Sequence, residues 1–335
     1  MQNTINSSII DSGKINEYLH LVDVKQFGME RVLTIFIAEF DDGIIIIDCG
    51  TSFEINRLLR YMKKNQLSLS AVKYIIPTHF HFDHCGGLWK LYEKIKVANQ
   101  NVKILSSAEL KHQVNNFDNL EHFSLAKKTF GGLIGELKGI DDSAFEIITP
   151  DDSFGEKNFT PHPIKVFKLG DKNVNLAIFK TPGHSLDHVC PLFIINGKLA
   201  FIHFGEALGI KGHKDKLITA PNCAAPNFDY KLHMNSAEKL NQLNPQNAGF
   251  SHSGFVHGEK NIRCLMIDHL SLMEQFRNMI VEYYKEKPET KFVFEKIYPF
   301  LKTRSDLGDD FADNPTVRKM MLTAVYGMMT DLKYR

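Results

Sequence analysis

Residues 74–87, which read YIIPTHFHFDHCGG, combine a strand-like apolar run with four potential metal ligands and two glycines. The ligands are His79, His81, Asp83 and His84. Side chains two residues apart at the end of a strand point in the same direction, so His79 and His81 can converge on one ion. Asp83 and His84 lie further along the loop and can face a second ion. The stretch therefore predicts the floor of a metal site at the end of a strand.

The composition is that of a globular protein without an electrostatic bias. Of 335 residues, 43% are hydrophobic and 24% are charged, and the formal net charge is +1. This balance gives no case for nucleic acid or anionic membranes as partners, and no apolar run is long enough to span a membrane. The N-terminal segment is polar and lacks the apolar stretch of a signal peptide. Five scattered cysteines argue for a reducing compartment, so we expect a cytoplasmic protein.

Strands and helices alternate along the first third of the chain, as in α/β folds. Residues 107–152 have loosely helical spacing, and we interpret them as a helical insertion or lid, with an ordinary long connection as the alternative. Beyond residue 259 the pattern is helical throughout. We therefore predict one domain over residues 1–258, carrying the insertion, and a helical C-terminal extension over residues 259–335. The predicted strands span residues 32–40, 44–47, 72–76, 102–105, 164–168, 174–180, 192–195, 199–202 and 247–250.

Three further candidate ligands each come shortly after a predicted strand. His184 lies in the turn TPGHS, Glu206 lies in FGEAL, and His252 lies in FSHSG. In α/β folds, side chains at strand ends collect at one edge of the sheet. We expect these three residues to join the cluster around His79 to His84.

In these motifs the chain resembles the metallo-β-lactamase fold superfamily. The resemblance rests on Asp48 in IIIIDCG, on THFHFDH, and on TPGHS, FGEAL and FSHSG, which occur in the family's order over roughly residues 17–257. It implies an α/β fold built as a four-layer αββα sandwich of two mixed sheets, with the metal site at one edge. The helical insertion and the C-terminal helices lie outside that common core, and we expect them to cover the metal edge and shape a pocket.

The resemblance also implies two metal positions and their ligands. His79, His81 and His184 would hold the first ion, Asp83, His84 and His252 the second, and Glu206 would bridge them. Such mixed ligands suit two divalent ions, with zinc favoured and iron or manganese as alternatives. Asp83 is also the candidate catalytic residue, since it could orient the attacking hydroxide.

One position departs from the family pattern, because Glu206 stands where the family usually has Asp. If Glu206 does not bridge, the site could hold a single ion, and His203 is a substitute ligand, although we expect His203 to pack in the sheet. Asp48 is interpreted as a partner of a ligand rather than a ligand. Asp187 and His188 could support His184 or touch substrate. Cys85 is expected to be a buried small residue, and His257 is an alternative to His252.

The predicted function is a metallo-hydrolase that uses a metal-bound hydroxide on an ester, thioester or lactone. The alternatives are a mononuclear iron oxidoreductase resembling persulfide dioxygenases, a phosphodiesterase or nuclease, and a metal-binding regulatory or interaction protein with little turnover. We expect a small-molecule substrate, no nucleic acid and no membrane partner, and a homodimer is compatible with the sequence. The looser similarity of GHSLDHV and GEALG to esterase-like and thioesterase-like branches favours ester chemistry.

Overall fold

The computed structural model describes residues 8–155 and 161–335, and within these ranges the strands form two seven-stranded mixed sheets. The strands are β1 (Ser8–Ile9), β2 (Gly13–Lys14), β3 (Leu19–Asp23), β4 (Thr34–Phe40), β5 (Gly43–Ile47), β6 (Val72–Ile76), β7 (Lys103–Ser106), β8 (Phe145–Ile147), β9 (Lys165–Leu169), β10 (Lys172–Lys180), β11 (Val189–Ile195), β12 (Lys198–His203), β13 (Asn247–Phe250) and β14 (Gly254–His257).

The helices are α1 (Ile55–Lys64), α2 (Phe82–Cys85), α3 (Leu88–Lys96), α4 (Ala108–Val114), α5 (Glu121–Phe130), α6 (Tyr230–Leu240), α7 (Glu259–Glu286), α8 (Thr290–Lys302), α9 (Gly308–Ala312) and α10 (Pro315–Asp331). The nine strands predicted from hydrophobic patterning all form, with bounds shifted by at most three residues. The strands β1, β2, β3, β8 and β14 were not predicted. The strands β1, β2 and β8 have only two or three residues, too few for a periodic pattern, whereas β3 and β14 are as long as strands that were predicted.

The first sheet has the order β2-β3-β4-β5-β6-β7-β8, antiparallel up to β5 and parallel from β5 onward. The Asp41-Asp42 turn connects β4 to β5, and Gly43 is already the first residue of β5. All five residues of β5 are buried, as a continuous apolar strand in the middle of a sheet requires. The ends of β5 and β6 therefore meet at one edge. This edge carries Asp48 and the segment that begins at Thr78.

The second sheet has the order β1-β14-β13-β12-β11-β10-β9 and is antiparallel except for the parallel pair of β12 and β13. The Asn196-Gly197 turn joins β11 to β12, with Asn196 at φ 51° and Gly197 at φ 75°, as a two-residue hairpin loop needs. Because β10, β12 and β13 run in the same direction, the segments that follow them leave the sheet at the same edge.

Four layers result from the burial of the sheet faces. The two sheets face each other across an apolar core that includes Phe36, Ile45, Leu176, Phe193 and Phe201. The outer face of the first sheet is covered by α1, α3 and the insertion, and that of the second by α6 and the first half of α7. The predicted αββα sandwich of two mixed sheets is confirmed, and so are the helices that follow it.

The C-terminal helices form an apolar cluster of their own, which includes Met273 and Phe276 of α7, Ile297 of α8 and Val325 of α10. Since α7 also contributes Leu265 to the core beneath the second sheet, one helix links the sandwich to this cluster. The boundary predicted at residue 258 stays a prediction. The range 1–258 includes residues 1–7 and 156–160, which lie outside the described residues.

Residues 107–152 are helical in their first part, through α4 and α5, and then return to the first sheet as β8. Among the helices of the described ranges, none combines the length and apolar character needed to cross a membrane.

Candidate metal centre

The seven side chains predicted as ligands converge at the edge where both sheets release their strand ends. Their candidate ligand atoms form two adjacent groups, each with atoms lying within 4.8 Å of one another. The first group contains His79, His81, His184 and Glu206, and the second contains Asp83, His84 and His252. The segments that follow β6, β10, β12 and β13 thus meet at one edge, because the strand order of the two sheets brings the ends of these strands together.

Glu206 lies at the junction of the two groups. Its Oε2 is 2.9 Å from His79 Nε2, 2.7 Å from His184 Nε2 and 3.2 Å from His84 Nε2. Its Oε1 is 3.0 Å from His252 Nε2. One carboxylate therefore contacts imidazoles of both groups, although it is longer by a methylene than the Asp expected from the family pattern.

Asp83 lies at the outer side of the second group. Its Oδ2 is 3.5 Å from His84 Nε2 and 3.7 Å from His252 Nε2. The side chain of Asp83 is 18% exposed, whereas that of Glu206 is only 2% exposed. Asp83 is therefore the carboxylate of the cluster that solvent and a ligand can reach.

The hydrogen bonds of the Nδ1 atoms fix the tautomers of His84 and His252. His84 Nδ1 lies 2.9 Å from Asp48 Oδ2, and His252 Nδ1 contacts the carbonyl oxygen of Val32. Both partners can only accept, so each Nδ1 carries the proton and donates it. In its neutral form each ring would present the Nε2 lone pair toward Glu206, and the nearby carboxylates raise the pKa of both imidazoles, so that a proton and a metal ion compete for Nε2.

The same reasoning applies to His184 and His79. His184 Nδ1 lies 3.1 Å from the carbonyl oxygen of Asn222, which can only accept. His79 Nδ1 lies 3.0 Å from Thr78 Oγ1, and that hydroxyl donates to Asp48 Oδ2 at 3.1 Å, so it accepts from His79. The Nε2 lone pairs of these two rings also face the carboxylate.

Four imidazole lone pairs thus point at an oxygen acceptor, and two imidazole nitrogens point at each other, since His184 Nε2 lies 2.9 Å from His81 Nδ1. The Nε2 atoms of His79, His84 and His252 and the Oε2 atom of Glu206 are buried without an aligned hydrogen bond, although they lie close together. An arrangement of buried acceptors needs cations between them. The donor set therefore fits divalent ions.

Electrostatics at the centre favour bound cations. Burial alone would raise the pKa of Glu206, but the imidazoles of His184, His84 and His252 hold that pKa well below its usual range. Burial would lower the pKa of His84, but the carboxylates of Asp83, Asp48 and Glu206 hold it well above its ordinary value. Burial, together with the charge of His84, lowers the pKa of His79 to about 3. The carboxylates therefore stay ionised and attract positive charge.

Asp48 is a partner of the cluster, as expected from the sequence, and lies in neither ligand group. It is fully buried and also accepts hydrogen bonds from the Thr78 backbone at 2.7 Å and from Ser251 Oγ at 3.0 Å. His203 binds Ser251 Oγ at 3.0 Å and packs against Phe36 with ring centroids 5.1 Å apart. His203 therefore packs inside the sheet, as its position in β12 predicts.

His188 and Asp187 support the loops that carry ligand candidates. His188 Nδ1 lies 2.8 Å from Thr181 Oγ1, and His188 Nε2 accepts the backbone N–H of Glu206 at 3.0 Å. Gly205 makes this approach possible, because a Cβ there would lie 2.6 Å from His188 Nε2. Asp187 is buried and accepts from Ser185 Oγ at 2.7 Å, and burial raises its pKa to about 7.

Other candidates lie away from the cluster. Cys85 is buried and donates to the Phe80 carbonyl oxygen at 2.9 Å, and burial holds the pKa of its thiol well above the usual value. His257 is exposed and binds Asn247 Oδ1 at 2.7 Å. Neither residue belongs to a ligand group among the described residues.

Two residues beside the cluster were not predicted. His122 of α5 stacks on His81, with ring centroids 3.9 Å apart and an interplanar angle of 8°, and its Nδ1 lies 3.1 Å from the Ala225 carbonyl oxygen. Asn222 binds His184 through its carbonyl oxygen and donates its side-chain amide to Glu206 Oε1. Neither residue belongs to a motif, because both reach the site only through the folding of long connections.

The cluster opens into a cavity of about 570 Å³. His81, Asp83, His184, Glu206 and His252 line one part of it. The insertion and the C-terminal helices line much of the rest, together with the loop after β3 and the connection between β12 and α6, so both segments help to shape the pocket over the metal edge.

An αββα sandwich with a cluster of imidazoles and carboxylates at one edge defines a class of metal-binding α/β proteins. The chain belongs to the metallo-beta-lactamase superfamily, whose sequence model matches residues 28–197, half of the chain. The fold and the cluster together indicate that it binds divalent metal.

A relative described as metallo-beta-lactamase fold-containing protein ST1585, from Sulfurisphaera tokodaii, is 25% identical over 259 residues, which cover 76% of this chain and 84% of the relative. A solved structure of ST1585 from Sulfolobus tokodaii has a TM-score of 0.61 at 21% identity and covers 93% of this chain and 98% of that one. A B3 metallo-beta-lactamase with an active site glutamic acid has a TM-score of 0.53 at 12% identity, covering 81% of this chain and 91% of that one. These two structural similarities concern the fold.

Proposed function

We propose that the protein is a hydrolase that cleaves an ester, thioester or lactone at a centre of two divalent ions. The observation that carries the proposal is the contact of one carboxylate, Glu206, with imidazoles of both ligand groups at the mouth of a largely apolar cavity. In the proposed arrangement His79, His81 and His184 would hold one ion, Asp83, His84 and His252 would hold the other, and Glu206 would contribute to both sites.

Two divalent ions would supply a water nucleophile at neutral pH and would polarise the carbonyl group of the substrate. The chain's own residues then set the geometry. Asp83 faces the cavity and is positioned to accept a hydrogen bond from the attacking water, which orients that water toward the carbonyl carbon. Asp48 and the Val32 carbonyl hold the rings of His84 and His252. The cavity walls keep bulk water away from the bond that breaks.

Metal content and substrate cleavage test this proposal together. Purified protein should contain two divalent ions per chain and should hydrolyse members of a panel of esters, thioesters and lactones. His81→Ala should lower both metal content and hydrolysis. The matched control is His257→Ala, because His257 is exposed and outside both groups. A single iron with oxygen uptake would favour the iron oxidoreductase instead, and cleavage restricted to a bis-aryl phosphate would favour the phosphodiesterase.

A further inference from the structure

The cavity extends from the metal centre into a compartment between the insertion and the last helix. We call it the α5–α10 compartment and define it by Leu125 and Phe130 of α5 and Met320, Met321 and Ala324 of α10, all of which line the cavity. These side chains are partly or fully buried and offer no polar atom other than the weakly accepting sulfurs of methionine. The compartment is therefore an apolar annex of the proposed active site.

Helix α5 packs directly against the segment 79–84, which carries four of the ligand candidates. The Phe130 ring stacks on Phe27, with centroids 5.8 Å apart, and also packs on Phe82, with centroids 5.7 Å apart. Phe82 immediately precedes Asp83 in the chain, and both line the cavity. The apolar surface thus begins next to the ligand candidates, where a bond attacked at the metal centre would lie.

The two threonines of α5 and α10 that line the cavity have hydroxyl groups that already donate within the helix. Thr129 and Thr323 line the cavity, but Thr129 Oγ1 donates to the Leu125 carbonyl oxygen at 2.8 Å and Thr323 Oγ1 donates to the Met320 carbonyl oxygen at 2.7 Å. Both hydroxyl groups therefore donate to a carbonyl oxygen of their own helix and have no proton left to donate to a ligand. A polar substrate group in this compartment would lose hydration without finding a matching donor.

The cavity lining contains three Lys or Arg side chains, of which Lys128 and Lys319 come from the compartment's two helices and Arg31 pairs with Asp306 at 2.7 Å. Lys128 and Lys319 line the cavity and are exposed, and Lys319 Nζ donates to the Thr129 carbonyl oxygen at 3.1 Å, which ties α10 to α5. This distribution suits a substrate with an apolar part inside and a polar or anionic part outside. The volume of about 570 Å³ is in the range of pockets that enclose a small-molecule ligand.

We propose that the α5–α10 compartment binds the apolar acyl chain of an ester or thioester, with the scissile carbonyl at the metal centre. The proposal rests on the proposed hydrolase function and names its substrate class. Methionine side chains are adaptable, so Met320 and Met321 suit chains of varying length rather than one rigid group.

The test uses the metal-loaded, full-length protein and the p-nitrophenyl esters of acetate, hexanoate and dodecanoate. Each methylene of the acyl chain that is removed from water should raise kcat/KM by up to about fourfold. The value of kcat/KM should therefore rise strongly from the acetyl to the hexanoyl ester. Leu125→Trp, which fills the compartment, should lower the ratio of kcat/KM for the dodecanoyl over the acetyl ester by roughly tenfold or more. Lys127→Trp is the matched control, because Lys127 lies on the same helix, is exposed and does not line the cavity.

Binding of dodecanoate, measured by calorimetry, provides a readout that does not depend on turnover. The parent and Lys127→Trp should bind it, and Leu125→Trp should bind it at least about tenfold more weakly. Hydrolysis that is independent of chain length, or equal dodecanoate binding by both tryptophan variants, would overturn the acyl-chain proposal and leave hydrolysis intact. Absence of hydrolysis for every ester and thioester, with dodecanoate still bound in the compartment, would overturn the proposed function and not the compartment. If dodecanoate does not bind the parent, the compartment does not take acyl chains.

Discussion

At the scale of single residues, the centre depends on proton positions as much as on ligand identity. Asp48 accepts from His84 Nδ1, from Thr78 and from Ser251, and in this way it places the His84 proton away from Glu206. A ring that carried its proton on Nε2 could not bind an ion there. Outer partners of this kind set both the tautomer and the orientation of metal-binding imidazoles.

Asp48→Asn should therefore weaken metal binding at His84 by about tenfold to a hundredfold. An amide nitrogen in place of Asp48 Oδ2 cannot accept the His84 proton, so the tautomer with a free Nε2 loses its support. Titration with zinc, followed by calorimetry, measures the loss. Ser251→Ala is the control, because it removes a different donor to the same carboxylate and leaves the bond to His84. Equal affinities of Asp48→Asn and the parent would show that Asp48 does not set the tautomer.

His122 makes a different contribution, since its ring lies flat against His81 and holds that ring from the side of the insertion. His122→Ala should lower metal affinity by roughly threefold to tenfold, which is the range expected for one lost ring stack. His122→Phe keeps a flat ring and should retain nearly the affinity of the parent. If the phenylalanine variant loses as much as the alanine variant, the imidazole nitrogens matter and the stacking does not.

At the scale of elements, the last helix is coupled to the centre through the loop at 222–225. Gly327 of α10 lies so close to this loop that a Cβ would be 2.1 Å from the Cys223 carbonyl oxygen. The adjoining residue, Asn222, holds His184 and donates to Glu206. Cys223 and Asn222 therefore link α10 to the ligand candidates His184 and Glu206.

Gly327→Val should separate α10 from this loop and disturb both stability and metal binding. Overpacking of this kind costs about 1–3 kcal/mol, and the displaced Asn222 should weaken metal affinity as well. Denaturant unfolding and zinc titration measure the two effects. Thr330→Val on the same helix is the control, because its hydroxyl contacts only the Tyr326 carbonyl oxygen, and its effect on stability should stay within about 0.5 kcal/mol. Unchanged metal affinity in Gly327→Val would contradict the coupling.

At the scale of the whole molecule, the site residues that the sequence could predict are those that follow a strand. Asp48, His79, His184 and His252 follow apolar strands directly or within a short turn, so hydrophobic patterning and motif order are enough to place them at one edge of the sandwich. Glu206 follows β12 in the same way. The αββα sandwich was predicted from the resemblance in the motifs, and hydrophobic patterning alone gave only the alternation of strands and helices.

The contributions of the insertion and the C-terminal helices could not be predicted in this detail. His122, Asn222 and the residues of the α5–α10 compartment reach the site through packing between segments far apart in the chain, for which the sequence carries no periodic signal. The stacking of His122 on His81, for example, needs α5 to fold back over the loop after β6. Their general role as a cover was predicted, but their contacts were not.

The whole fold should depend on metal, because ligands from both sheets meet at the centre. In the absence of metal ions, protons on the imidazoles must compensate the charge of the Glu206 carboxylate, and ions that bind only the folded chain stabilise it by mass action. Zinc at about a hundred times its Kd should add about 2.7 kcal/mol and raise Tm by roughly 5 °C for a chain of this size. Differential scanning calorimetry with chelator and after zinc is restored measures the shift. The same experiment on His81→Ala should show a much smaller change, whereas a parent Tm that is the same with and without zinc would mean that the two sheets do not share a metal centre.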